Sequence, residues 1–364
     1  MSLPSSKSGF IPELNGLRGV AILGVMLFHA GIPIFQGGFI GVDIFFVLSG
    51  FLITRILVNE FEHWKAIDLK IFYIRRILRL APALVVMLLL YCLASLIFLP
   101  KEIARENYVD ALIALTYCTN WAWAFNIHPP TDLSHTWSLA IEEQFYVLWP
   151  IFLFTILRVF KRRRISVAIT IVIALLSWLA RVYMTLSGSY AQRLYSGLDT
   201  RADGLMLGCA IGIVLSSKSF DMAIFQKWSN GLAAASLLSI TGLIGLAIYG
   251  RNMQPLMYYA GFTLVELFTA VLLLDVVLNP HSMTKRLLSG RWLVWVGTVS
   301  YGIYLWHHPI YRVLQTLGMN ELLVFLVGSL LALLVAAISY QFIESPILKQ
   351  KKHFSVSAVE PAGD

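Results

Sequence analysis

Along the 364-residue chain, long apolar runs alternate with short polar breaks. A run of about 20 apolar residues matches the hydrocarbon thickness of a bilayer, so each such run predicts a spanning helix. Ten spans are expected, over 12–31, 38–58, 80–99, 138–158, 165–186, 201–217, 230–249, 256–278, 292–313 and 321–344. The break from Gly31 to Gly38 is short, which makes the first two spans an antiparallel pair. The expected fold class is an all-α polytopic membrane protein with about ten transmembrane helices. Its parts are an N-terminal tail over 1–11, a transmembrane domain over 12–346 and a C-terminal tail over 347–364.

Polar residues inside the apolar runs are where function is expected, because ionisable groups in hydrocarbon cost several kcal/mol and face a bundle interior or wet cavity. The first span carries Arg18 and His29. They are eleven positions apart, so they share one helix face, roughly 16 Å apart along the axis. Asp43 opens the second span at a similar depth to His29, placed either to orient the imidazole or to cap its own helix. Gly41, Ser49 and Gly50 are small enough for another helix to approach closely.

Before the third span, Phe72-Tyr-Ile-Arg-Arg-Ile-Leu-Arg-Leu-Ala-Pro82 puts Arg75, Arg76 and Arg79 on one broad helix face, with Pro82 suited to the start of the span. Guanidinium forks match phosphate oxygens, and ordinary anchoring to lipid headgroups is the competing account. The nearby His63-Trp-Lys-Ala-Ile-Asp68 fits an H-x4-D acyltransferase pattern too short to carry weight alone.

Residues 108–125 are expected to form an interfacial helix with Tyr117, Trp121 and Trp123, the aromatics serving as belt residues or stacking on sugar rings. Two adjacent carboxylates, Glu142 and Glu143, follow in His135-Thr-Trp-Ser-Leu-Ala-Ile-Glu-Glu-Gln-Phe-Tyr, entering the fourth span. They diverge by about 100°, so one at most faces a given cavity, while Ser138 lies one turn from Glu142 on the same face. Arg201 and Asp203 suggest an intramembrane ion pair; Glu266 and Asp275 lie in the eighth span, and the ninth carries Tyr301, Tyr304, His307 and His308. Adjacent histidines diverge on a helix and make a poor pair of metal ligands, so no metal is expected.

Composition agrees: 58% of residues are hydrophobic and 13% charged, and mean hydropathy is +0.74. A net charge of +8 could signal nucleic acid, but its placement says otherwise. With the N-terminus cytoplasmic, about 21 of the 28 Lys and Arg fall on that side, including Lys161 to Arg164, Lys285, Arg286, Lys351 and Lys352. Both termini are therefore expected in the cytoplasm, with no nucleic-acid partner. Cys92, Cys118 and Cys209 are too far apart for a disulfide framework.

Several motifs, in order, resemble the bacterial membrane acyltransferase-three superfamily, the O-acetylases of lipopolysaccharide and other glycans. They are Arg18 with His29, Gly38 to Phe51, Phe72 to Pro82, His135 to Tyr146, Arg201-Ala-Asp203, Ser300 to His307 and Ile343-Glu-Ser-Pro346. The resemblance implies a multi-pass protein of the bacterial cytoplasmic (inner) membrane. It would move an acyl group, usually acetyl, from cytoplasmic acetyl-CoA as co-substrate to a hydroxyl of a glycan or lipid-linked saccharide, with no bound cofactor. His29 would be the general base, and Glu142, Glu143 or Asp43 would orient it or stabilise its cation. Arg18 would guide the donor or polarise its carbonyl; Arg75, Arg76, Arg79 and Tyr73 would bind it. His135, Trp137, Ser138, Arg201, Asp203, Tyr301, Tyr304 and His307 would support the acceptor side. Direct transfer and an acyl-histidine intermediate both fit. Some relatives carry an esterase-like domain after the spans, and none is expected in this chain. A transporter or flippase of a lipid-linked glycan is the alternative, since intramembrane Arg, His and Glu also suit ion coupling.

Overall fold

The computed structural model describes residues 11–160, 162–217 and 229–350, and every element within them is helical. Residues 1–10, Lys161 and the tail beyond 350, with Lys351 and Lys352, lie outside the described residues.

The chain opens with α1 (Pro12–His29), which starts where proline fits a helix's first turn and Glu13 complements its dipole. α2 (Gly41–Trp64) returns antiparallel to it, with Phe28 edge-on to Phe39 and Arg18 over the ring of Phe45. Lys65 then adopts a left-handed conformation, and α3 (Leu69–Phe98) begins. Asp68 caps α3 by accepting the Ile71 N–H at 2.9 Å, so the aspartate of the H-x4-D pattern has a structural task. The next helices are α4 (Lys101–Leu115), α5 (Thr119–Ala124), α6 (Trp137–Val159), α7 (Arg163–Leu186), α8 (Ala191–Ser196) and α9 (Leu198–Leu215). After the undescribed stretch come α10 (Ser229–Tyr249), α11 (Phe262–Leu278), α12 (Met283–Leu288), α13 (Arg291–Thr298), α14 (Ser300–Thr316), α15 (Glu321–Ser339) and α16 (Ser345–Gln350). Single π-helical turns join α11 and α15 to their neighbours, at Met257–Gly261 and Tyr340–Glu344.

Among the described residues, seven helical segments are long and apolar enough to cross a bilayer: Gly38–Trp64, Leu69–Phe98, Ser134–Val159, Arg163–Leu186, Ser229–Tyr249, Met257–Leu278 and Glu321–Lys349. α1, α9 and α14 occupy the other three expected spans, with 18, 18 and 17 residues. These three carry Arg18 and His29, Arg201 and Asp203, and His307 and His308, the polar groups that lower their hydropathy.

Three expectations are corrected. Pro82 does not start a helix; it lies inside the continuous 30-residue α3, so the arginines of 75–79 and the apolar run share one rod. The ninth span is not one helix. α13 runs back along α1, with Gly297 against Asn15 and Leu293 against Gly19. The chain then changes direction at Val299, and α14 follows α1 forward, Ser300 meeting Arg18 and His307 meeting His29. The expected interfacial helix over 108–125 is two pieces, α4 and α5, separated by Tyr117 in a left-handed conformation.

α2 is the axis of the bundle, packed on α1 along one side and α9 along another. Gly50 lies against the Leu205 carbonyl and Gly208 against the Val47 carbonyl, close approaches that leave no room for a Cβ on either helix. Gly41 gives the same access to α1 at Ala21 and Val25. Ser49 has a different use, described below.

Candidate active site

α1 presents its polar stripe to α14. Near its start, Arg18 donates from Nε and Nη2 to Ser300 Oγ at 3.3 and 3.1 Å. Near its end, His29 Nδ1 lies 2.9 Å from His307 Nε2. The backbone settles which ring nitrogens carry hydrogen. His307 Nδ1 is 3.0 Å from the carbonyl oxygen of Ile303, which only accepts, so Nδ1 donates. In the neutral ring Nε2 is then an acceptor, and His29 Nδ1 must be the donor to it. Nε2 of His29 is left as a bare lone pair on a half-buried ring.

Two more imidazoles close the group. His308 meets His29 edge-on at 4.8 Å between ring centroids and donates from Nδ1 to the Asp132 carbonyl at 2.7 Å. His135 stacks on His308 at 4.9 Å and touches His307 at 5.6 Å. Among the described residues no group of three or more His, Cys, Asp or Glu side chains is arranged to hold a metal ion.

A cavity of about 40 Å³ is lined by Arg18, Ser138, Glu142, Ser300, Tyr301 and Tyr304, with Val42, Phe45, Phe46 and Leu139 as its apolar wall. It is large enough for water, and Arg18, Glu142, Ser138 and Ser300 offer that water polar partners within a mostly apolar lining. Tyr304 OH donates to the His135 carbonyl at 2.6 Å, so the 2.5 Å contact with Ser138 has the serine hydroxyl as donor. Tyr301 OH donates to the Leu80 carbonyl of α3 at 2.8 Å.

Glu142 accepts from Ser49 Oγ at 2.7 Å, and Tyr146 OH donates to the same serine at 3.0 Å. Ser49 is thus a hydrogen-bonding link between α2 and α6 as well as a small residue. The charges of Arg18, Arg76 and Arg79 all bear on Glu142, and those of Arg76 and Arg79 on Glu143. Arg76 lies over the rings of Phe72 and Tyr146, at 5.5 and 5.0 Å. Tyr73 OH donates to the Val147 carbonyl at 2.7 Å and ties α3 to α6. The neighbourhood of the third span is therefore a cationic cluster around two adjacent carboxylates, on the Arg18 side of the cavity.

Asp43, Arg201 and Asp203 lie elsewhere. Asp43 does not reach His29: it pairs with Arg201 Nη2 at 2.5 Å, both side chains fully buried. The expected Arg201–Asp203 pair is also replaced. Asp203 receives both Nη1 and Nη2 of Arg181, at 2.8 and 2.6 Å, and the sequence reading missed Arg181. Phe262, Tyr195 and Trp137 surround Arg201, Phe262 at 3.6 Å from the guanidinium carbon. This aromatic and ionic wall stiffens the junction of α2, α7, α9 and α11 behind the cavity. Asp275 is structural, accepting from Asn279 at 3.0 Å and from Ser282.

Compared with known proteins, the chain matches the acyltransferase domain family over residues 11–341. It is 36% identical over 353 residues to the peptidoglycan O-acetyltransferase OatA of Listeria monocytogenes, covering 93% of this chain and 56% of that protein. It is 35% identical to the putative peptidoglycan O-acetyltransferase YrhL of Bacillus subtilis, covering 94% and 55%. The O-acetyltransferase OatA of Staphylococcus aureus is 34% identical over 361 residues, 97% of this chain and 59% of that one. The chain spans a little over half the length of these curated relatives. No solved structure matches it.

Proposed function

This chain belongs to the membrane acyltransferase family that its match over 11–341 defines, and we propose that it is an O-acyltransferase carrying acetyl from acetyl-CoA to a glycan hydroxyl. Peptidoglycan is the acceptor class proposed first, ahead of lipopolysaccharide, because it is the glycan named for two of the relatives. The membrane is proposed to be the bacterial cytoplasmic membrane, crossed about ten times with both termini inside.

The observation that carries the reading is the paired imidazoles of α1 and α14. With His29 Nδ1 committed to His307, Nε2 of His29 is free to accept the proton of an acceptor hydroxyl. The oxygen then attacks the thioester carbonyl, the carbon–sulfur bond breaks, and Nε2 returns the proton to sulfur. His307 acts through His29: it fixes the tautomer and accepts from the imidazolium as it forms. Arg18, held on Ser300, stands where the donor's arm would enter the cavity, and Arg76 and Arg79 stand where its phosphates would be held.

In proteoliposomes supplied with acetyl-CoA and a soluble peptidoglycan fragment, thiol release and ester formation should depend on His29. His29→Ala should lower kcat by at least about 10²–10⁴-fold, the scale of a lost general base. His307→Phe should lower kcat with smaller effect on either KM. Wild-type rates in a folded His29→Ala protein would remove His29 from the mechanism.

A further inference from the structure

His135 is 2% exposed, and neither of its ring nitrogens has a partner. Buried polar groups are nearly always hydrogen-bonded, and leaving one unpaired costs about 1–3 kcal/mol. The other three imidazoles of the cluster each have a partner for at least one nitrogen: His29 on His307, His307 on Ile303 and His308 on Asp132. The His135 ring makes no hydrogen bond of good geometry, the Leu305 backbone being the polar group that bears on it, and it is held chiefly by shape. Its residue sits in the 3₁₀ turn Ser134–Thr136, its own carbonyl is fixed by Tyr304 OH at 2.6 Å, and its ring is clamped between Tyr304 and His308. A neutral imidazole carries one N–H and one bare nitrogen, so a donor is preset in the same cluster as the lone pair of His29, with the Leu305 backbone bearing on the ring but no hydrogen bond of good geometry to hold it.

Resting on the acyl-transfer reading above, we infer that His135 is a catalytic residue whose ring N–H holds the thioester carbonyl oxygen as it becomes an oxyanion. The acceptor O–H gives its proton to His29 Nε2 and its oxygen bonds to the carbonyl carbon. The carbonyl π pair moves onto oxygen, where the N–H of His135 meets it. Collapse of this adduct re-forms the carbonyl, breaks the carbon–sulfur bond and sends the proton from His29 to the departing thiolate, which leaves as the thiol. Nothing is oxidised or reduced. A donor already oriented in a dry site needs no reorganisation when charge develops, which is why such groups are worth more there than in water. His135 and His29 contact the same two rings, His307 and His308, so base and oxyanion donor share one rigid support on α14.

The test pairs kinetics with a direct view of the carbonyl. His135→Ala should lower kcat by about 10²–10³-fold, the loss typical for one oxyanion donor, with both KM values nearly unchanged. His135→Gln, whose amide N–H replaces the donor, should recover at least part of that loss, whereas His135→Phe, which keeps the ring volume, should not. Infrared spectra of bound 13C-carbonyl acetyl-CoA should show a lowered stretch in the wild type and in His135→Gln, but not in His135→Phe. Equal kinetics in the Gln and Phe variants, or a stretch indifferent to position 135, would overturn the inference. Donor binding with the lowered stretch but without any ester formed would instead overturn the transfer reading and leave the hydrogen bond standing.

Discussion

Of the three guanidinium nitrogens of Arg201, only Nη2 has a partner, the Asp43 carboxylate at 2.5 Å. Phe262 faces the rest of the cation at 3.6 Å, an attraction that complements one carboxylate and does not replace it. Removing Asp43 would leave a buried charge uncompensated, so Asp43→Asn is expected to destabilise by about 3–5 kcal/mol. Denaturation in detergent micelles measures this, and Asp43→Asn with Arg201→Met should be more stable than Asp43→Asn alone. An unchanged unfolding midpoint in the single variant would mean that the pair holds nothing together. At this scale the sequence named the right residues but not their partners. Arg201 and Asp203 are two apart on α9 and point away from each other, which excludes the pairing that their proximity suggested. Their true partners lie 158 and 22 residues away, on α2 and α7. Arg181 escaped notice because an arginine near the end of a long apolar run reads as a snorkelling anchor.

Helices α2 and α9 meet through reciprocal glycines, so their separation is set by backbone and not by side chains. Gly208→Ala would press a methyl group into the Val47 carbonyl, and Gly50→Ala would do the same at Leu205. Each should cost about 1–3 kcal/mol, the range for overpacking a tight interface. The double variant should show no further large loss if a single small displacement relieves both contacts. Thermal melts in detergent would read the effect, and melting points equal to wild type would show that the interface is looser than the glycines imply. The apolar runs located most of the long helices to within a few residues, but α3 begins at Leu69 and not at 80, and the short α8 and α12 were not expected. They failed where polar function interrupts the pattern. α14 begins at Ser300 beside Arg18, and a run of hydropathy over 292–313 carries no sign that the chain changes direction at Val299. The stripe of Arg18 and His29 was legible because an eleven-residue spacing nearly closes three turns. The cluster completed by His135 and His308 was not, because two adjacent histidines suggest divergence until a third helix supplies the neighbours for both.

Across the whole molecule the two chemistries stand at opposite ends of the α1 stripe. Arg18, Arg76 and Arg79 gather around Glu142 at one end, and the four imidazoles at the other, about 16 Å further along the helix by its rise per residue. Coenzyme A carries phosphates that cannot enter hydrocarbon, but its pantetheine arm is long, flexible and only mildly polar. On the acyl-transfer reading, the small cavity lined by Arg18, Ser300 and Tyr304 would have to widen to admit that arm, and the donor would then not need to cross the membrane for its thioester to reach His29. If the basic loops face the cytoplasm, as the excess of Lys and Arg there implies, acetyl-CoA should be consumed when added to inside-out vesicles and spared outside right-side-out ones. The glycan acceptor should show the reverse preference. Arg76→Glu and Arg79→Glu should each raise the KM for acetyl-CoA at least tenfold, more at low than at high ionic strength, while leaving the acceptor's KM near wild type. Consumption of both substrates from the cytoplasmic face alone would place the histidine cluster in a pocket open to that side, and the arginines would then lie beside the acceptor as well as the donor.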